Sequence, residues 1–243
     1  MSETSGVRMS GDMLTPNPVR VRFTKTGSLQ FISHLDLMRT MTRLVVRADV
    51  GVYYTEGFNP KPKLVFALPL SVGTESVCEL VDFKVWGDVD LQKIKESLLR
   101  EAPSEIEILD VYEPNTKFRS VAFAEYRIDF YSSALFDGAD ESAREAFGKP
   151  MIVMKRSKSG ESECDIRQFI KSFSVSELDT AEGKRHMTVD VVLFADPEHY
   201  LNPEYVVTAL KDVIGYGDDI APGRDRYDIM RCEIYGADGG IFR

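Results

Sequence analysis

Val19-Arg20-Val21-Arg22-Phe23-Thr24-Lys25 and, a few residues on, Ser33-His34-Leu35-Asp36-Leu37-Met38-Arg39-Thr40-Met41 together decide the fold. In the first stretch Val19, Val21 and Phe23 alternate with Arg20, Arg22 and Thr24. That period of two describes a half-buried strand, and it predicts two arginines on the outer sheet face. In the second, Ser33 is a good N-cap, and Asp36 three residues later completes an S-x-x-D capping pattern. Leu37, Met41, Leu44 and Ala48 recur at helical spacing and are expected to face the core. Asp36, Arg39, Arg43 and Arg47 fall on the opposite face. Lys25-Thr26-Gly27 supplies the turn, so the chain opens with a strand feeding a helix.

The pattern continues outward from there. Two prolines and a glycine in Glu56-Gly57-Phe58-Asn59-Pro60-Lys61-Pro62-Lys63 force a rigid, non-helical excursion. It leads into an apolar run, Leu64 to Leu70, which reads as a buried strand. Val77 to Trp86 is strand-like, Asp90 to Arg100 helical and Ile106 to Tyr112 a further strand. This β-α-β-β-α-β order is the split βαβ, or ferredoxin-like, arrangement. Pro114 to Ser120 reads as a linker, after which the order recurs with an insertion. Asp165 to Phe173 stays ambiguous. Near the end, Asn202 and Pro203 open a helix and Gly215 closes it. The expectation is an α+β protein built of tandem ferredoxin-like βαββαβ units, residues 19–113 and 121–243, behind a flexible leader at 1–18.

A chain of 243 residues can bury a sizeable core without a disulfide or metal staple. Thirty Lys and Arg against 39 Asp and Glu leave a formal charge of -9, which excludes a uniformly basic, histone-like binder. The charge is unevenly spread. Val19 to Lys63 holds eight basic and three acidic residues, a net +5, so the remainder totals -14. Such asymmetry points to one anionic partner at one place. Cys78, Cys164 and Cys232 lie far apart, with none of the close spacings of a zinc ribbon or an iron–sulfur loop. No cofactor or metal site is therefore expected. No run of about 18 apolar residues and no apolar signal core occur, so a cytoplasmic protein without membrane contact is expected. Nothing points to DNA.

Three segments together resemble a known family: Arg22-Phe23-Thr24-Lys25-Thr26-Gly27, then Phe31-Ile32-Ser33-His34-Leu35-Asp36-Leu37-Met38-Arg39, then Glu56 to Lys63 leading into Phe66-Ala67-Leu68-Pro69-Leu70. The chain is similar to the radical SAM-linked proteins, a bacterial domain of unknown function that occurs alone or fused behind a radical SAM enzyme. Lys61 departs from that family's pattern, which has histidine there. The resemblance implies a radical SAM protein as partner and supplies no activity of its own.

The candidate residues follow from the same motifs. His34 opens the first helix, where an imidazole can serve as base or hydrogen-bond donor, or simply pack. Ser33 beside it is fully explained as the cap, and no third triad member is identifiable. Gly57, Pro60 and Pro62 stiffen a loop that presents Phe58, Asn59, Lys61 and Lys63; an aromatic ring there can stack on a base while lysines meet phosphate. The plain alternative is a rigid connector with solvated lysines. Arg20, Arg22, Lys25 and Arg39 complete the set as contacts for an anionic substrate, and the outer sheet face is expected to act as an RNA platform. The resulting expectation is a non-catalytic accessory module for a radical SAM enzyme, presenting RNA or another anionic substrate. The alternatives are a metal-independent endoribonuclease using His34 and a protein–protein scaffold without RNA contact.

Overall fold

The computed structural model describes residues 15–157, 160–216 and 225–243. It is an α+β structure built on one nine-stranded sheet with a separate two-stranded hairpin. The first run comprises β1 (Asn17–Lys25), α1 (His34–Arg47), β2 (Val65–Phe66), β3 (Thr74–Val85), α2 (Leu91–Glu101) and β4 (Ile108–Tyr112). The second comprises β5 (Val121–Ser132), α3 (Ala139–Ala146), the hairpin β6 (Ile152–Ser157) and β7 (Gly160–Asp165), β8 (Ile170–Val175), β9 (Asp179–Ala181), β10 (Lys184–Phe194), α4 (Glu204–Ile214) and β11 (Arg226–Gly236). The strands lie in the order β4-β1-β3-β11-β5-β10-β8, with β2 on β3 and β9 on β10.

The apolar spacing explains the elements. Leu37, Met41 and Leu44 of α1 bury against Val19, Val21 and Phe23 of β1, with Leu98 of α2 in the same cluster. A second cluster gathers Ile128 and Phe130 of β5, Met187 of β10, and Val207 and Leu210 of α4. At α4 the Asn202 Oδ1 accepts from the Glu204 N–H at 3.2 Å, and Gly215, at φ 74°, ends the helix. That left-handed geometry favours glycine.

Three expectations change. The run Leu64 to Leu70 contributes only Val65 and Phe66 as a strand: the chain bends at Ala67 and Leu68, Pro69 has no N–H to donate to a ladder, and the segment buries Leu68 and Leu70. The ambiguous stretch at 165–173 closes β7, makes a single 3-10 turn over Ile166–Phe169 and begins β8. β1 starts at Asn17, inside the stretch expected as a leader at 1–18, and residues 1–14 of that stretch lie outside the described residues.

The two runs are fused through their sheet. Thr74 to Ser76 at the start of β3 pairs in parallel with Ile229 to Arg231 of β11, whereas the rest of β3 pairs antiparallel with β1. The cores interpenetrate as well: Leu68, Cys78 and Leu80 from the first run belong to the second cluster. At the joint, Lys25 lies opposite Ser76, Ser76 opposite Arg231, and Arg231 opposite Tyr126. All four residues are almost completely buried. Arg231 forms a buried ion pair with Glu79, and its Nη2 donates to the Leu68 carbonyl at 2.9 Å. Removing one partner of such a pair strands a charge away from water, at a cost of about 3–5 kcal/mol. Glu79→Ala is therefore expected to lower unfolding free energy by that order in urea titration, and Glu79→Met with Arg231→Met to recover most of it. Equal losses from the single and the double variant would contradict this.

Candidate functional site

Ser33 caps α1 as its spacing predicts. Its Oγ accepts from the Asp36 N–H at 3.2 Å and donates to Asp36 Oδ2 at 2.8 Å. The hydroxyl proton is thus committed to Asp36 and not to His34. Ser33, followed by Arg39 Nη1 at 3.0 Å from the other carboxylate oxygen, holds the Asp36 carboxyl below its ordinary range. His34 is half-buried, with its ring edge-on to Phe66: centroids are 5.2 Å apart and the planes 83° to one another. Phe66 meets Phe23 in turn, 6.4 Å away. The imidazole makes no hydrogen bond or ion pair among the described residues, so nothing orients it as a base.

The loop between α1 and β2 is a hairpin. Val52 bridges to Val85, the Tyr53 N–H donates to the Lys84 carbonyl at 2.7 Å, and Tyr54 bridges to Pro62. The Thr55 N–H donates to the Lys61 carbonyl at 2.9 Å, and the Lys61 N–H returns a bond to Thr55 Oγ1 at 3.2 Å. Gly57, at φ 122°, turns the tip, where Phe58, Asn59 and Pro60 stand exposed and the Phe58 ring meets no other aromatic among the described residues. Lys61 lines a groove against α1, and Lys63 lines a separate groove against the end of β3.

Lys61 faces α1. A groove of about 480 Å³ runs between helix and hairpin, lined by Leu35, Met38, Arg39, Arg43, Lys61 and Leu64 among others. The hairpin thus folds back over the first two turns of α1. Arg39 keeps its pair with Asp36, but Arg43 and Lys61 have no ion pair among the described residues. Three cations therefore share one amphipathic groove, two of them without a counter-charge. Arg43 and the apolar Leu35 and Met38 stand outside the set singled out from the motifs. Their signal was present: Leu35, Arg39 and Arg43 recur every four residues and mark a second stripe on α1 beside the core stripe.

The first-strand cations do not form the expected outer platform. Arg20 is wholly buried: Asp82 takes Nε and Nη2 at 2.7 Å each, Thr116 Oγ1 accepts from Nη1 at 2.9 Å, and the guanidinium lies 4.3 and 5.1 Å from the ring centres of Phe118 and Phe242. Arg22 is half-buried, 3.9 Å from Glu233. Lys25 is buried, donates from Nζ to the Gln30 carbonyl at 3.2 Å and has its pKa lowered by desolvation. The physical reason is that the segment after β4 and the C-terminal residues cross this face. The Thr116 hydroxyl donates to the Arg243 carbonyl at 2.5 Å, and Arg243 pairs with Glu233 at 2.7 Å. Arg20, Arg22 and Lys25 are thus structural, and no sheet-face platform exists at β1.

Elsewhere, His186 lies between Asp179 and Asp129, at 2.9 and 3.0 Å, and His199 meets Asp196 at 2.9 Å, partners that no sequence spacing disclosed. Among the described residues no group of three or more His, Cys, Asp or Glu is placed to hold a metal ion. No helix there is long and apolar enough to cross a membrane.

A family model matches residues 19–203, and the chain belongs to that family, described as "Uncharacterized protein conserved in bacteria (DUF2344)". No curated protein matches. Among solved structures, the chain is similar at 11% identity to an unknown protein from Galdieria sulphuraria, covering 89% of this chain and 99% of that one with a TM-score of 0.26. It is similar at 10% identity to a variant of DypB from Rhodococcus jostii RHA1 in complex with heme, covering 91% and 96% with a TM-score of 0.20. Superpositions this loose define no common fold.

Burial pushes the Cys78 thiol up to about 12. A maleimide at pH 8 is expected to leave Cys78 unmodified in the native protein and to label it in urea, read by mass spectrometry. Native labelling of Cys78 as fast as in urea would contradict the packing at the joint.

Proposed function

We propose that this chain is a non-catalytic, cytoplasmic accessory module that holds single-stranded RNA for a radical SAM enzyme, with the groove between α1 and the 53–63 hairpin as its contact surface. The observation that carries the reading is the convergence of Arg39, Arg43 and Lys61 on one groove in a chain whose overall charge is -9. Cations left unpaired beside one another on an acidic protein repel, and an anionic ligand relieves that repulsion. Phosphates would sit on these three groups, and the exposed Phe58 would offer a ring to a neighbouring base. Asn59 at the same tip adds an amide able to bond a base edge.

The partner class is supported by the motif resemblance alone. The cysteines are compatible with it: Cys78, Cys164 and Cys232 lack the close spacing of a cluster-binding loop, so cluster chemistry would come from the partner chain. A docking role for protein is favoured by a specific feature, the exposure of Leu35 in the same groove. That side chain suits contact with the enzyme while the cations hold the substrate. An endoribonuclease reading finds no support in the surroundings of His34.

Each phosphate contact on a single strand contributes about 0.7 to the slope of log affinity against log salt. For a labelled oligouridylate, the three cations of this groove are expected to contribute about -2 to the slope read by fluorescence anisotropy. Arg43→Glu with Lys61→Glu should remove at least two-thirds of that contribution. His34→Ala should leave both binding and RNA integrity unchanged. Binding that ignores both charge reversals, or RNA cleavage lost with His34, would overturn the proposal.

A further inference from the structure

The other side of the hairpin carries a second groove, of about 550 Å³. This volume falls within the range of small-ligand sites, about 300–1,000 Å³. It contains the chain's one tryptophan, Trp86, just past the end of β3 and almost half exposed. The Tyr53 ring stands 5.4 Å from it at 60°. Hairpin and strand pairing fix both rings: the Trp86 N–H donates to the Gly51 carbonyl at 2.9 Å, and the Tyr53 N–H to the Lys84 carbonyl. Lys63 and Lys84 line the same groove, and neither has an ion pair among the described residues. Two carboxylates also reach it. Asp82 has both oxygens taken by the Arg20 guanidinium, which leaves Glu56 as the one uncompensated acid against two lysines.

We infer that this second groove is a base-stacking site for the same RNA strand, which passes from Arg39, Arg43 and Lys61 around the tip at Phe58 to Trp86 and Tyr53. The inference rests on the RNA reading above. Lys61 and Lys63 are two residues apart on extended backbone, a separation of about 6.6 Å, so one strand can meet both as it crosses the hairpin. Rigid aromatic rings beside unpaired lysines match the needs of single-stranded nucleic acid, a π-face for each base and a cation for each phosphate. A proline-rich peptide would also suit exposed Trp and Tyr rings. It has no use for two unpaired lysines.

Trp86 reports directly, because no other tryptophan contributes emission. Titrating the full chain with a ten-residue oligouridylate is expected to quench its fluorescence saturably, whereas inorganic polyphosphate should bind without quenching. By anisotropy with labelled oligouridylate, Trp86→Ala should weaken binding about fivefold or more with the salt slope unchanged. Lys84→Ala should lower that slope by about 0.7. Should Trp86→Ala fail to fold, wild-type quenching and Lys84→Ala still decide. Oligouridylate that binds without altering Trp86 emission would overturn this inference and leave the α1 groove standing. Quenching by a proline-rich decapeptide but not by oligouridylate would do the same. Absence of any oligouridylate binding would overturn both.

Discussion

The buried pair of Arg231 and Glu79 is the constraint on which the rest of the molecule depends. It sits where β3 changes partners, pairing in parallel with β11 at its start and antiparallel with β1 along its length. A guanidinium can be held out of water there only if its carboxylate and the Leu68 carbonyl stay in place. That requirement ties three things together: the strand joining the two runs, the 67–70 segment after β2, and the sheet position of β11. The hairpin that carries Phe58, Lys61 and Lys63 is anchored one segment upstream, by bridges to β3 at Val85 and Lys84. A fixed joint therefore sets the frame in which the hairpin faces α1.

The charges of the first run divide by role. Arg20 and Lys25 are enclosed, and Arg22 is half enclosed, where they fasten the sheet to the segment after β4, to the C-terminal residues and to the turn before α1. Arginine suits the Arg20 position because its planar fork meets Asp82 with two bonds while its faces lie against Phe118 and Phe242. Arg43, Lys61, Lys63 and Lys84 stand exposed without an ion pair among the described residues. The net +5 of residues 19–63 is thus a sum of two populations, and only the exposed one is free for a ligand.

Much of this was legible in the residues. Helix α1 could be read because its cap, its core stripe and its turn agree with one another. The capping bond of Ser33 and the burial of Leu37, Met41 and Leu44 follow from local spacing alone. The fate of Arg20 was not legible. Alternation says which face a side chain takes, but Phe118 and Phe242, which cover that face, stand 98 and 222 positions further along the chain, and no local pattern announces them. The parallel joint of β3 with β11 was hidden for the same reason. Gly57, Pro60 and Pro62 marked the hairpin as stiff, yet whether it lay over α1 depended on the Tyr53 and Val52 bonds to β3, again a long-range fact. Trp86 and Tyr53 escaped notice because each reads as an ordinary strand-end aromatic until the fold sets them side by side.

The central claim is that one RNA strand meets this protein at the hairpin and α1, not on the sheet. Ultraviolet cross-linking of oligouridylate to the intact chain, with the attachment sites mapped by mass spectrometry, addresses it most directly. The account predicts adducts at Phe58, Tyr53 and Trp86, lost at high salt. Adducts confined to the exposed sheet face of β5 and β10, around Arg127 and Asp190, would contradict it.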